Sequence, residues 1–408
     1  MKVILISPAF PAEMPLFTAA LAEFGAEVVG VGDTPPQLLP ESIRHCLHDY
    51  VPVRSLWDED AVVAAVASSP ASAGVDRVEC LWEPGVLLAA KLRERLGVPG
   101  MSVEHSQRFR DKEEMKRVLD AAGLRTPHHR AARTESEVYA AAEEIGFPLI
   151  IKPIAGAGSA DTYRVNEASE IPGVLGKVRH VEVVSVEEFI IGEEFTFDTV
   201  CAGGRILFEN VAWYRPQALL QRTVPWISPQ TIALRDLAAP HLEPGIEMGR
   251  RVLTALQFRD GFTHMEWFRK ENGEAVFIEI ACRPPGARSV DIMCQATDSS
   301  LFRTWAEATL TGTLRAPLSR PYNAIVVFKR AEGEGRISRI EGLAPLLREF
   351  GDAVVGVDLL PVGAPRRNWK HTLLSDGFVT IRHPDLSTVL EMADRIGTDV
   401  RMYAQREA

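Results

Sequence analysis

The chain reads as a multidomain α/β and α+β protein. An N-terminal parallel α/β domain comes first, then a lid and a central domain, then a small C-terminal α/β appendage. Three observations predict this. The 408 residues exceed what one ordinary core holds, so several subdomains are expected. Over residues 1–105, short apolar runs alternate with helix-spaced segments, the rhythm of a parallel sheet with helices on its faces. Farther along, period-two patterns joined by glycine-containing turns take over, which is hairpin patterning.

In chain order, residues 3–7 form a buried-strand run and residues 14–24 a helix ending near Gly25. Residues 27–31 and 77–81 are strands, and residues 87–96 are a helix stopped by Gly97 and Pro99. GVGD at 30–33 lacks the full dinucleotide fingerprint and reads as a turn. Residues 111–122 and 136–145 are helices, terminated by GLRTP and by Gly146. FPLIIKP is a strand leading through a small-residue loop into a second one, and residues 183–191 are a third. After Gly192 an alternating run reaches a hairpin at Gly203-Gly204. Residues 209–235, rich in Trp, Pro and Gln, have no regular period and read as a loop-bearing insert. A helix at 242–256 precedes a further hairpin, and more strands with two helical stretches follow from about 321. The expected domains are 1–105, 106–190, 191–320 and 321–408.

Composition narrows the class. A hydrophobic share of 46% with 25% charged residues describes a soluble globular protein. A net charge of −10 argues against a nucleic-acid partner, which would need a basic patch. No apolar run is long enough to cross a bilayer. The opening MKVILISPAF reads as a first strand and not as a signal peptide. Five cysteines without metal-like spacing suit a reduced, cytoplasmic protein.

The chemistry concentrates in FTHMEWFRKENGEAVFIEIACRPPG, residues 262–286. Asn272-Gly273 is the strongest short hairpin signal, because a type I′ turn needs φ > 0 at both central positions. With that pair as the loop, Glu271 faces Glu274, and stepping outward brings Glu266 opposite Glu279, with Cβ atoms roughly 5 Å apart. Like charges at that spacing repel. A hard divalent ion, Mg²⁺ or Mn²⁺, removes the conflict and commonly shares its site with substrate phosphates.

Other candidates surround this pair. Lys152 ends an apolar strand before a loop containing Gly156, Gly158 and Ser159. Small residues there let backbone N–H groups approach phosphate oxygens, although such loops are also ordinary turns. Glu187, Glu188, Phe189 and Ile190 read either as an edge strand with a solvated end or as a purine cradle, with Glu194 accepting ribose hydroxyls. Arg283 either neutralises Glu279 or steadies oxygens that gain charge during reaction. His264, on the face of Glu266, is a structural or a catalytic imidazole. Trp213, Tyr214, Arg215, Gln221 and Arg222 in the insert, and Arg288 after the glycine turn, are substrate contacts or packing.

Taken in order, DK at 111–112, PLIIKPIAGAGS at 148–159, VEEFIIGEEFTFD at 186–198, HMEWF at 264–268 and FIEIACRPPG at 277–286 closely resemble the ATP-grasp superfamily, over roughly residues 1–320. The resemblance implies that Lys112 and Lys152 contact ATP phosphates under the loop of Gly156, Gly158 and Ser159. It implies that Glu187 and the backbone of Glu188, Phe189 and Ile190 hold adenine, and Glu194 the ribose. Glu266 and Glu279 would bind Mg²⁺, and Arg283, with Lys152, would serve catalysis. Many members carry Asn two residues after the second acid. Ala281 stands there instead, which puts the number of bound metal ions in question.

The implied reaction joins a small carboxylate, above all an amino acid, to an amine through an acyl-phosphate, releasing ADP and phosphate. Small-molecule substrates and a homodimer are the partners this implies. The EIA-x-RP pattern is also similar to N5-carboxyaminoimidazole ribonucleotide synthase, and the layout to biotin carboxylase, so a carboxylating enzyme is the alternative. A nucleotide-binding regulator without turnover is a second one, though it has no need for two opposed acids.

Overall fold

The computed structural model describes residues 1–154, 161–369, 372 and 374–406. They build four sheets. The first contains β1 (Lys2–Ile6), β2 (Glu27–Gly32), β3 (Asp49–Pro52) and β4 (Arg77–Cys80), all parallel, in the order β3-β2-β1-β4. Val3 through Ile6 are fully buried, as expected of a parallel strand covered on both faces. The covering helix Val86–Leu96 stops at Gly97, whose φ of 67° is the left-handed cap that the sequence anticipates.

The second sheet is antiparallel and small. It pairs β5 (His129–Ala132), β6 (Leu149–Pro153), β7 (Tyr163–Val165) and β8 (Val184–Glu188) in the order β5-β8-β6-β7. Helices Glu135–Ile145 and Ile171–Val178 close its core around Leu149, Ile151 and Val186. Thr134 and Glu137 start the former with a reciprocal capping box.

The third sheet is the scaffold of the site. It contains β9 (Glu193–Ala202), β10 (Arg205–Asn210), β11 (Ala212–Arg215), β12 (Gln230–Ala233), β13 (Gly261–Arg269), β14 (Ala275–Ala281) and β15 (Asn323–Phe328). After the short strands β16 (Glu332–Gly333) and β17 (Arg336–Glu341), the chain returns to it with β18 (Val354–Leu359) and β19 (Gly377–His383). β20 (Arg401–Gln405) then joins β16 and β17 in a small fourth sheet. One face of the large sheet buries Phe195, Phe197, Met265, Trp267, Phe277 and Ile280 together with residues of helix Glu243–Ala255. That helix lies very close. A Cβ on Gly245 would meet Trp267 at 2.2 Å, and one on Gly249 would meet Phe197 at 2.3 Å. The opposite face is polar, and alternation along β9 and β13 places Glu194, Thr196, Asp198, His264 and Glu266 there.

Two expectations about elements need correction. The stretch 209–235 is no loose insert: β11 pairs with β9 and β12, and helix Ala218–Thr223 lies between the two strands. Four-residue strands are too short to display a period, and Pro216 ends the first of them. The boundary near 321 also crosses a continuous sheet, because β15 pairs with β12 over four positions.

The hairpin differs in detail as well. Its loop has three residues, Glu271, Asn272 and Gly273, with Gly273 at φ 85°. The Lys270 N–H donates to the Glu274 carbonyl at 2.9 Å, so Lys270, and not Glu271, faces Glu274. A bulge at Ile278 then compensates. Trp267 pairs with Phe277, and one step on Glu266 pairs with Glu279. The extra residue also reverses which face β14 presents: Phe277 and Ile280 both lie in the core while Ile278 and Glu279 both line the cleft.

Candidate active site

Glu266 and Glu279 thus oppose each other on the polar face, each side chain 26% exposed. Lys112, at the start of helix Lys112–Ala121, reaches Glu279 at 3.2 Å. Lys152, on β6, is buried, and burial presses against its charge. Glu187, then Glu279 and Glu266, outweigh that and hold its pKa above the ordinary lysine value. The paired carboxylates supply hard oxygen donors beside cations suited to phosphate, a set that fits a Mg²⁺–nucleotide. Among the described residues, no third His, Cys, Asp or Glu joins them in a metal-binding group. Ala281 pairs with His264 across the hairpin.

His264 is held from both sides. Its Nδ1 lies 2.6 Å from Asp198 Oδ1, and its Nε2 lies 3.5 Å from Glu266 Oε1. Burial opposes a charged ring, yet hydrogen bonds to Asp198 and Glu266 outweigh it and raise the pKa to about 9. Asp198 is fully enclosed and accepts further bonds from Thr196 at 2.7 Å and Asn210 at 3.1 Å. The chain of contacts therefore fixes the imidazole, and through it Glu266.

Glu187 faces the lysines. Its carboxylate pairs with Lys116 Nζ and with Lys152 Nζ, the latter at 2.8 Å, and accepts from Ser185 at 2.9 Å. Burial alone would raise its pKa, but the charges of Lys116 and Lys152 hold it well below the carboxylate range. Lys116 is pressed the other way, since burial outweighs Glu187 there. Glu188, beside Glu187, pairs with Arg125 at 2.8 Å. Glu194 accepts the Ala218 N–H at 2.6 Å, and burial followed by the Glu266 charge raises its pKa.

Arg283 donates from Nε to Glu83 Oε2 at 2.5 Å and from Nη1 to the Pro284 carbonyl at 2.7 Å. Glu83 follows β4, and its other oxygen pairs with Arg110. The first sheet thereby holds an arginine of the third.

One cleft of about 690 Å³ collects these groups: Lys112, Lys152, Glu187 to Ile190, Glu194, His264, Glu266, Glu279 and Arg283 all line it. Gly156, Gly158 and Ser159 lie outside the described residues. Three candidates do not reach the cleft. Trp213 stacks on Phe195 at 6.1 Å, on the core side of β11. Arg215 lies over Trp213 at 5.2 Å and pairs with Asp394 at 3.3 Å. Arg288 pairs with Asp291 at 3.0 Å and covers the Phe378 ring at 5.3 Å. Tyr214, between the first two, does line the cleft, as strand alternation requires.

Glu83, Lys116 and Asp198 carry weight that the motifs did not assign. Two of them left a signal. Lys116 is one helical turn from Lys112, and Glu83 lies just past the carboxyl end of a parallel strand, where open α/β sheets bind their ligands.

Known proteins agree with this layout. A model of the ATP-grasp N-terminal domain matches residues 17–100, and one of the ATP-grasp domain matches residues 117–298. An L-arginine-specific L-amino acid ligase of Bacillus subtilis is 27% identical over 222 residues, 52% of this chain and 52% of that one. The chain spans about half the length of the curated relatives it matches, and up to 63% in one case. Among solved structures, an L-amino acid ligase from Bacillus licheniformis superposes with a TM-score of 0.79 at 20% identity, covering 99% of this chain and 98% of that one. N5-carboxyaminoimidazole ribonucleotide synthetase from Thermotoga maritima gives 0.73 at 18% identity, covering 99% of both chains. At those identities the likeness speaks for the fold. The two domain models together account for most of the chain up to residue 298, and on them this protein belongs to the ATP-grasp superfamily.

Proposed function

We propose that the protein is an ATP-dependent carboxylate–amine ligase acting on small acids, amino acids above all. The observation that carries this reading is the direct opposition of Glu266 and Glu279 beneath Lys112 and Lys152, with Arg283 lining the same cleft. ATP phosphates would lie against the two lysines. Glu266 and Glu279 would hold Mg²⁺, which when bound offsets phosphate charge and orients the terminal phosphoryl group. Adenine would meet the backbone of Glu188 to Ile190, where the N–H groups of Glu188 and Phe189 already donate to the carbonyls of His128 and Pro148, and Glu194 would face the ribose hydroxyls. A substrate carboxylate attacks the terminal phosphorus of ATP, ADP leaves, and an amine then displaces phosphate from the acyl-phosphate. Arg283, fixed by Glu83, would stabilise the oxygens that gain charge in both steps. The relatives named as amino acid ligases support the substrate class. Free cysteines agree with a reducing, cytoplasmic setting.

The test is phosphate release from Mg²⁺–ATP across a panel of amino acids, singly and in pairs. Substrate-dependent release is expected, and Glu266→Gln or Glu279→Gln should lower it by about 10³-fold or more while the fold survives. Full activity in either variant would remove the metal assignment. Release that depends on bicarbonate instead of an amine would favour the carboxylating alternative suggested by the Thermotoga likeness.

A further inference from the structure

The cleft continues past the glutamates and ends against a second cluster of charge that the chemistry above leaves unused. Arg222, on helix Ala218–Thr223, and Arg330, two residues past β15, both line it, with Phe328, Trp369 and Ser375 around them. Arg330 is fixed from several sides. Nη1 donates to the Val224 carbonyl and Nη2 to the Gln221 carbonyl, both at 2.6 Å, while Nε donates to Ser375 Oγ at 3.3 Å. Its plane lies 4.1 Å from the Trp369 ring centre. A guanidinium carries five N–H groups, so two remain for a ligand.

The local balance of charge is positive. Burial first, then the charges of Arg222 and Arg366, lower the Arg330 pKa to about 10. Asp376, the acid that acts on Arg330, is fully buried and already engaged. It accepts from Arg366 Nε at 3.0 Å and from the N–H groups of Arg367 and Ala331 at 2.8 Å each. Arg330 and Arg366 both act against Asp376, and Arg222 adds its positive charge beside Arg330. An arginine held by carbonyls and a hydroxyl keeps its full charge for whatever enters, and its planar fork suits carboxylate and phosphate oxygens.

We propose that this end of the cleft binds a non-reacting anionic group, a carboxylate or a phosphoester, carried by one of the two ligation substrates. The substrate class is then an acid or amine bearing a second, acidic function. This rests on the ligase reading, and the experiment separates the two. With the nucleotide seat filled by Mg²⁺ and a non-hydrolysable ATP analogue, binding of malonate and of inorganic phosphate is measured by calorimetry on the whole chain, on Arg330→Gln and on Arg222→Gln. At least one probe should bind, and either variant should weaken it about 30-fold while holding the analogue normally, the loss of one charge-assisted hydrogen bond. A preference for malonate assigns a carboxylate, and a preference for phosphate a phosphoester. No binding of either probe, or undiminished binding by Arg222→Gln with normal analogue affinity, overturns the proposal. In a second arm, ADP release is compared for glutamate against glutamine and for phosphoserine against serine. The acidic member of one pair should be favoured about tenfold in kcat/KM, and Arg330→Gln should erase the preference. Equal use of the neutral members overturns the anionic subsite while upholding the ligase. Anion binding without ADP release from any acid overturns the ligase and leaves the subsite.

Discussion

At the scale of single residues, the site is organised by charge that is shared instead of paired one to one. Glu187 holds Lys116 and Lys152 together inside the protein, so removing its charge strands two buried cations. Glu187→Gln should therefore cost about 3–5 kcal/mol of stability, measured by urea unfolding near neutral pH. A loss below about 1 kcal/mol would mean that the lysines do not depend on it. The sign of the pH dependence follows. The folded-state pKa of Glu187 is depressed, so its stabilisation is present above the ordinary carboxylate value of 4.5 and is lost as pH falls through and below it. Unfolding free energy of the wild type should drop more steeply between about pH 5 and pH 3 than that of the variant. The opposition of Glu266 and Glu279 was legible in sequence because hairpin pairing is local. Lys116 was less so, since a lysine on a helix is ordinarily a solvated residue. Only the approach of β8, far along the chain, turns this one inward.

Elements show a different kind of economy. The hairpin of β13 and β14 has one more loop residue than an Asn-Gly turn and one bulged residue at Ile278, and the two departures cancel at Glu266 and Glu279. The register at the acids was thus readable from sequence although the turn type was not: Gly273 supplies the left-handed residue in either turn. Helix Glu243–Ala255 was readable too, from its apolar spacing. Its distance from the sheet was not, because that depends on which glycines meet Trp267 and Phe197. Gly249→Ala should destabilise by about 1–3 kcal/mol, since overpacking exceeds the gain in helix propensity of about 1 kcal/mol. An increase in melting temperature would show that the helix can withdraw without cost.

Over the whole molecule, three sheets converge on one cleft, and that convergence was the least legible feature. Sequence periodicity orders each sheet internally but says little about which sheets meet. Glu83 is the clearest case, an acid from the first sheet that fixes Arg283 of the third. Glu83→Gln should lower kcat about 10–100-fold with little change in KM for ATP, and Glu83→Asp should restore part of it. Steady-state kinetics showing a wild-type kcat would reduce the contact to packing. The path of the large sheet has a consequence of its own. A chain cut after residue 320 would strip β15 from β12 and leave Gln230, Thr231, Ile232 and Ala233 with an open hydrogen-bonding edge beside exposed core. Such a fragment should recruit strands from its own copies and come out of solution as aggregates, visible by light scattering, and a soluble monomer would contradict this. The last fifth of the chain therefore acts as a seal against self-association as much as a wall of the cleft.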